Sequence, residues 1–363
     1  MNKIVKLTIP GKLFLAGEYA VTTPGQPALI AAVDHGMTIE GTLKIPVPTT
    51  PASKVRPEPG PLGTVSIHSE QFEEPLQERF QTIASWSTED IKESTWAFVK
   101  AALAIVVAEH PAWFKEEPTV ELRIHSEMKT AEGKLGLGSS AAVTVAVVFA
   151  LHRLFEGDKA DKMTIFKEAA FAHFLVQASG SLGDIATSSH TGLIYYQAPA
   201  WIKKVNPRDM SVSDFRSLDW TNMAVKRLNW PANWQLHILA TKEPASTKKA
   251  LAKKLNRSEL LPQSANAVQR AKSAFEQTDY QALKQALAKN QMALIEALPA
   301  EYLTARLTAF IELMNDFNLA GKVSGAGFGD NGFWLTQSPL TEEQESKVQE
   351  AGLSQIQTTI FED

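Results

Sequence analysis

The sequence predicts an α+β protein of two domains, each a mixed sheet with helices packed on one face. Three observations predict it. Strand-like runs precede long helical runs, that order occurs twice along the chain, and 363 residues exceed what one hydrophobic core usually serves. The boundary is placed at residue 200, giving domains of 1–200 and 201–363, with a site expected between them.

In the first block Ile4–Ile9 alternates apolar and polar side chains. Leu13–Gly17, Ala28–Val33 and Met37–Leu43 are further strands, and Pro24-Gly25 turns the chain between the second and third. Residues 46–61 hold six prolines and almost no large apolar side chain. They read as an exposed excursion, because strand-like sequence resumes at Thr64–His68. Thr88 caps a predicted helix over Glu89–His110, which Pro111 ends. Thr119–His125 is a strand, Ser139–Phe155 and Lys162–Ala178 are helices, and Leu193–Gln197 is a strand. Residues 198–232 carry prolines and tryptophans without a period.

The second block opens on a buried strand at Gln235–Thr241. Helices follow near Ser246–Leu255, Glu259–Thr278, Tyr280–Leu298 and Tyr302–Asn318. It closes as strand, helix, strand over Gly332–Thr336, Thr341–Ala351 and Gln355–Ile360.

Composition excludes several functions. A net charge of −4 and a pI near 6.1 argue against a protein that coats nucleic acid, where a basic stripe supplies most of the affinity. With no cysteine there is no disulfide, thiol nucleophile or thiolate metal site, and no histidines have the spacing of a zinc helix. Pro10 and Gly11 interrupt the N-terminus before a signal-peptide core develops, and the apolar runs stop short of the ~20 residues that span a bilayer. The expectation is a cytoplasmic protein acting on small molecules, without nucleic acid or membrane partners.

Four segments carry the chemistry. Leu135–Leu151, "LGLGSSAAVTVAVVFAL", runs from two glycines and two serines straight into an apolar helix. Gly136 and Gly138 let backbone N–H groups approach a ligand, Ser139 or Ser140 can cap the helix or face a metal, and the helix start favours phosphate. A turn with a cap is the plain alternative. No Lys-Ser or Lys-Thr follows, so it is not a P-loop. In "PGKLFLAGEY" (10–19), Lys12 follows a turn and is either a solvated strand end or a point charge for phosphate. In "SGSLGDIAT" (179–187), Asp184 is either a helix cap or a polar site residue. "SGAGFGD" (324–330) has three glycines in five residues, more than a simple turn requires.

In this order the segments resemble the superfamily of galactokinase, homoserine kinase, mevalonate kinase and phosphomevalonate kinase, the GHMP kinases, whose signatures are "PGK…GE", "GLGSS" and "GAG". The resemblance runs end to end. With Tyr19 after Glu18 and "GSLGDIAT" around the acid, the chain looks most like the bacterial phosphomevalonate kinases.

The resemblance implies a two-domain fold, ribosomal-protein-like then ferredoxin-like, with ATP and Mg²⁺ between. Lys12 and Asp184 would face the transferred phosphoryl group as catalytic residues. Lys134, Gly136, Leu137, Gly138, Ser139, Ser140 and Ala141 would surround the nucleotide phosphates, with Ser140 on the metal. Tyr19, Ser324, Gly325, Ala326 and Gly327 would contact the acceptor, and Ser246 in "ASTKK" its phosphate, unless Lys248 and Lys249 form a solvated face. The implied reaction is phosphorylation of phosphomevalonate by a monomer or homodimer. The alternatives are mevalonate or another alcohol as acceptor, or a sensor without turnover.

Two departures stand out. Where mevalonate kinases supply an acidic magnesium ligand, the nearest upstream acid is Glu168, with His173 and Gln177 on the later turns. Phe328 replaces a glycine common among relatives, which predicts a narrower pocket. No adenine pocket is assigned, and Trp86 and Trp96 are read as core.

Overall fold

Two long strands organise the first sheet of the computed structural model, which describes residues 2–46, 60–130, 133–134, 136–241 and 255–362. β1 (Asn2–Ala16) and β2 (Pro27–Lys44) pair antiparallel from Asn2↔Lys44 to Ala16↔Leu29. Each unites two segments that alternation alone separates. The break at Pro10–Gly11 is a register shift within one strand, beside Gly36, where a Cβ would lie 2.1 Å from the Ile9 carbonyl oxygen.

Around this pair lie β3 (Thr64–Ser69), β4 (Leu76–Arg79), β5 (Thr119–Ser126), β8 (Leu193–Gln197) and β9 (Ala224–Leu228), in the order β4-β3-β5-β2-β8-β9 with β1 also on β2. Only β3 and β5 are parallel among these described pairs. A short ribbon of β6 (Lys129–Thr130) and β7 (Gly133–Lys134) precedes the glycine loop.

The helices cover this sheet. α1 (Phe80–Ala84) is short, and the predicted helix over Glu89–His110 is two, α2 (Thr88–Lys92) and α3 (Ala97–Glu109). Ser87, not Thr88, caps α2 through a capping box with Asp90, and the chain restarts after Ser94, whose Oγ accepts from the Trp96 N–H at 3.1 Å. α4 (Ser139–Glu156) and α5 (Lys162–Gln177) match the sequence pattern and bury Val145, Val148, Leu151, Phe166 and Phe171 in one core. α6 (Gly183–His190) follows.

The expected boundary at residue 200 needs moving. β9 pairs with β8 from Leu193↔Leu228 to Gln197↔Ala224, so the first sheet continues to residue 228. Residues 198–223 show no period because they pack as irregular turns around a knot of rings, with Trp201 5.3 Å from Trp220 and 5.0 Å from Phe174.

The second sheet has the order β11-β12-β10-β13, from β10 (Gln235–Ala240), β11 (Ala320–Val323), β12 (Gly332–Thr336) and β13 (Ser354–Thr358), all antiparallel. With α7 (Arg257–Gln277), α8 (Tyr280–Ala297), α9 (Ala305–Asp316) and α10 (Glu342–Glu350), it is the ferredoxin-like arrangement that the resemblance implied. Sequence reading missed β11, four residues in which Gly321 admits the Phe333 carbonyl oxygen and Lys322 is buried. The chain end returns to the first sheet, where the Phe361 N–H donates to the Ala32 carbonyl at 2.9 Å.

Candidate active site

A cleft of about 440 Å³ is lined by residues of both domains, among them Lys12, Gly138, Ser140, Asp184, Gly325 and Asp330. Lys12 enters it just after the Pro10–Gly11 bulge. Its N–H donates to the Leu137 carbonyl at 2.9 Å and its Nζ to the Gly136 carbonyl at 3.0 Å, so strand and glycine loop hold it at both ends. Gly138 has no side chain because one would stand 3.1 Å from Lys12 Cγ and Cε.

Gly138, left-handed with φ +81°, is itself the N-cap of α4, correcting the expectation that a serine caps it. Ser139 and Ser140 therefore fall in the first turn and line the cleft, beside N–H groups that an α-helix cannot pair internally. Leu137 and Ala141, expected around the phosphates, are buried and do not line the cleft. Lys134 lies in β7, and its side chain is outside the described residues.

Asp184 lies in the first turn of α6 and does not cap it; Leu182 holds the cap position. Gly183 precedes it because a Cβ there would stand 2.6 Å from Ile30 Cδ1. Tyr196 ties the preceding loop by donating to the Ser181 carbonyl at 2.6 Å. The Ser188 hydroxyl donates to the Pro10 carbonyl at 2.9 Å, fixing α6 to the bulge that presents Lys12. Lys12 and Asp184 line the same cleft, but the ammonium bonds to Gly136 and not to the aspartate.

His173 Nε2 is 3.2 Å from Ser140 Oγ, and its ring stacks on Phe98 at 5.0 Å. Burial lowers its pKa and outweighs the Asp184 charge that raises it, so the ring is neutral. Gln177 also lines the cleft, whereas Glu168 does not. The Glu168 carboxylate is instead buried between His110 Nε2 at 2.7 Å and His152 Nε2 at 2.9 Å.

A second cavity of about 230 Å³ shares Ser139 and Ser140 with the cleft. Its walls include Phe72, Trp96, Phe98 and Val143, with Gln71 and Thr95 as polar edges. Phe72 and Trp96 face each other at 4.1 Å. Trp96 belongs to the core, as expected, at 8% exposed, and it also walls this cavity, which no local pattern displays because its walls come from five separate segments.

The far wall joins the domains. Tyr19, left-handed at φ +61°, donates its hydroxyl to the Ala326 carbonyl at 2.5 Å, and burial raises its pKa. It therefore latches the two loops together as well as lining the cleft. Beside it, Glu18 Oε1 lies 2.5 Å from Lys322 Nζ, both buried. The Gly17 N–H donates to Asn290 Oδ1 at 3.2 Å.

In the last loop Gly325, Ala326 and Asp330 reach the cleft. Ser324 does not, because its hydroxyl donates back to the Phe14 carbonyl at 2.8 Å, nor does Gly327, which packs on the Tyr302 ring. Phe328 also turns away, 6.1 Å from the Tyr302 ring, so the expected narrowing does not occur. Ser246, Lys248 and Lys249 lie outside the described residues.

Two family descriptions match, GHMP kinases N terminal domain over residues 97–192 and GHMP kinases C terminal over residues 271–352. The phosphomevalonate kinase of Streptomyces sp. (strain CL190) is 30% identical over 348 residues, 92% of this chain and 90% of that relative. The chain belongs to the GHMP kinase family. Among solved structures, the Lin0012 protein of Listeria innocua superposes on this kinase with a TM-score of 0.81 at 26% identity, covering 99% and 98% of the two chains. The phosphomevalonate kinase of Streptococcus pneumoniae, solved with phosphomevalonate and AMPPNP, shares the fold at a TM-score of 0.73 and 22% identity, covering 97% and 99%.

Proposed function

We propose that this kinase transfers the terminal phosphoryl group of ATP to phosphomevalonate, giving diphosphomevalonate. One observation carries the reading. Lys12, the start of α4 and Asp184 share a single cleft, in a chain whose likeness to the Streptomyces phosphomevalonate kinase runs nearly end to end.

The nucleotide phosphates lie along Gly136, Gly138, Ser139 and Ser140, where the unpaired N–H groups and the helix dipole favour anions. The adenine enters the second cavity, against the aromatic walls that Phe72, Trp96 and Phe98 supply. The acceptor lies toward Tyr19, Gly325 and Ala326.

The acceptor oxygen belongs to a phosphate monoester whose second pKa is about 6, so it is mostly ionised at neutral pH and a general base is nearly redundant. The harder problem is the approach of two polyanions. Lys12, held between Leu137 and Gly136, supplies a fixed positive charge where that repulsion concentrates. Asp184 acts through position and charge, without removing a proton. The oxygen donors of Asp184 and Ser140 fit a hard cation, and Mg²⁺ held there would neutralise charge on the phosphates. The same proposal places the kinase in the cytoplasm as a monomer or homodimer, with no nucleic-acid or membrane partner.

Coupled ADP release with phosphomevalonate and with mevalonate, side by side, tests the assignment. Turnover should favour phosphomevalonate by roughly 100-fold or more in kcat/KM. Faster turnover of mevalonate would reassign the acceptor, and release with neither would remove the catalytic reading.

A further inference from the structure

Asp330 is an acid in a cleft built for anions. Its carboxylate occupies the space that a side chain would need at two separate loops. A Cβ on Gly136 would stand 2.5 Å from Asp330 Oδ1, and one on Gly325 would stand 2.3 Å from Oδ2. The same oxygens accept from the Asn331 N–H at 3.1 Å and the Ala326 N–H at 3.1 Å. One rigid side chain thus leans on the nucleotide loop with one oxygen and grips the acceptor loop with the other.

The charges around it matter as much as the contacts. Burial, helped by the Glu18 carboxylate, raises the Asp330 pKa on balance, against the Lys12 ammonium and the Ala326 and Asn331 N–H bonds, which lower it. Lys12 sits next to it, bonded to the Gly136 carbonyl. A nucleotide phosphate arriving at Gly136–Ser140 brings negative charge beside Oδ1 and repels it. Oδ2 already accepts from the Ala326 N–H, so a push on Oδ1 at the nucleotide loop bears on that bond.

We propose that Asp330 is a positioning residue that transmits nucleotide occupancy to the acceptor loop, tightening residues 324–327 when phosphates fill the glycine loop at residues 136–140. Tyr19 conveys the tightening onward, since its hydroxyl bonds to the Ala326 carbonyl. The kinase therefore organises its acceptor side after the nucleotide is in place. The inference rests on the nucleotide half of the proposed function alone, so it is decided whichever acceptor the kinase uses.

Hydrogen–deuterium exchange with and without AMPPNP and Mg²⁺ tests it. In the wild-type chain the nucleotide should slow exchange at residues 136–142 and also at 324–327, the latter by about fivefold or more, the lower end of ordinary coupling between sites. Asp330→Ala and Asp330→Asn should keep the protection at 136–142 and lose that at 324–327. Asparagine retains the size of the side chain, so this pair separates charge from shape, and unchanged exchange in β2 shows that both variants are folded. The proposal is overturned if nucleotide protects 324–327 equally in the variants, or if the wild-type loop gains no protection.

Discussion

The buried Ser188 hydroxyl donates to the Pro10 carbonyl at 2.9 Å, joining the helix that carries Asp184 to the bulge that carries Lys12. Neither residue lines the cleft, yet their bond ties together the two segments whose charged side chains do. Ser188→Ala leaves a buried carbonyl without its partner, which costs about 1–3 kcal/mol. Denaturant unfolding should show that loss, and kcat should fall while KM for ATP holds. A variant with full kcat would mean that this bond serves stability alone.

Lys12→Met removes the fixed charge and leaves the glycine loop and its N–H groups in place. Turnover should drop by at least about 100-fold, the scale of losing one electrostatic contact to a transition state. Titration with AMPPNP should show little change in affinity. Loss of nucleotide binding in parallel with rate would assign Lys12 to ground-state binding.

Asp184→Asn should lower kcat without removing an acidic limb from the pH profile, because the acceptor oxygen is already ionised. The profile of kcat against pH for wild type and variant decides it. Disappearance of a titrating base in the variant would restore proton abstraction as the role of Asp184.

Trp96→Ala enlarges the second cavity, which meets the cleft at Ser139 and Ser140. Aromatic stacking on a base is worth about 1–3 kcal/mol, so KM for ATP should rise by roughly tenfold, with KM for the acceptor unaffected. Equal changes in both constants would show that Trp96 only supports the fold.

The His152 network gives stability a pH dependence. Burial opposes charge on His152, but hydrogen bonds and attraction from Glu168 and Glu156 raise its pKa above the ordinary imidazole value. Its contribution is complete below the unfolded imidazole value and is lost as pH rises through the raised folded value. Glu168 is the opposite case. Burial pushes its pKa up, the two histidines pull it lower overall, and its contribution is lost as pH falls through the depressed folded value. Thermal midpoints should therefore peak between the two and fall on the alkaline side. In His152→Gln the alkaline decline attributable to this group should be absent, and an unchanged slope would remove the network from the pH response.

Much of the fold was legible because long periodic segments report their own burial. α4, α5, α7 and α8 were read within a few residues, since their apolar faces repeat over many turns. The break between α2 and α3 was missed because it depends on a cap at Ser87 and a turn at Ser94 within an otherwise helical composition. β9 and β11 were missed because short strands inside irregular or glycine-containing sequence have no period to display.

The sequence by itself determined the family, the order of the glycine loops, and the identity of Lys12 and Asp184 as the charged residues to watch, because these are written as local patterns of fixed spacing. Tertiary structure alone decided which of the neighbouring residues face the cleft. Ser324 turns its hydroxyl to Phe14, Tyr19 latches Ala326, Glu168 is taken by two histidines, and Asp330 comes to rest between two loops far apart in the chain. A side chain's direction and partner follow from the packing of distant segments, and no local pattern encodes that.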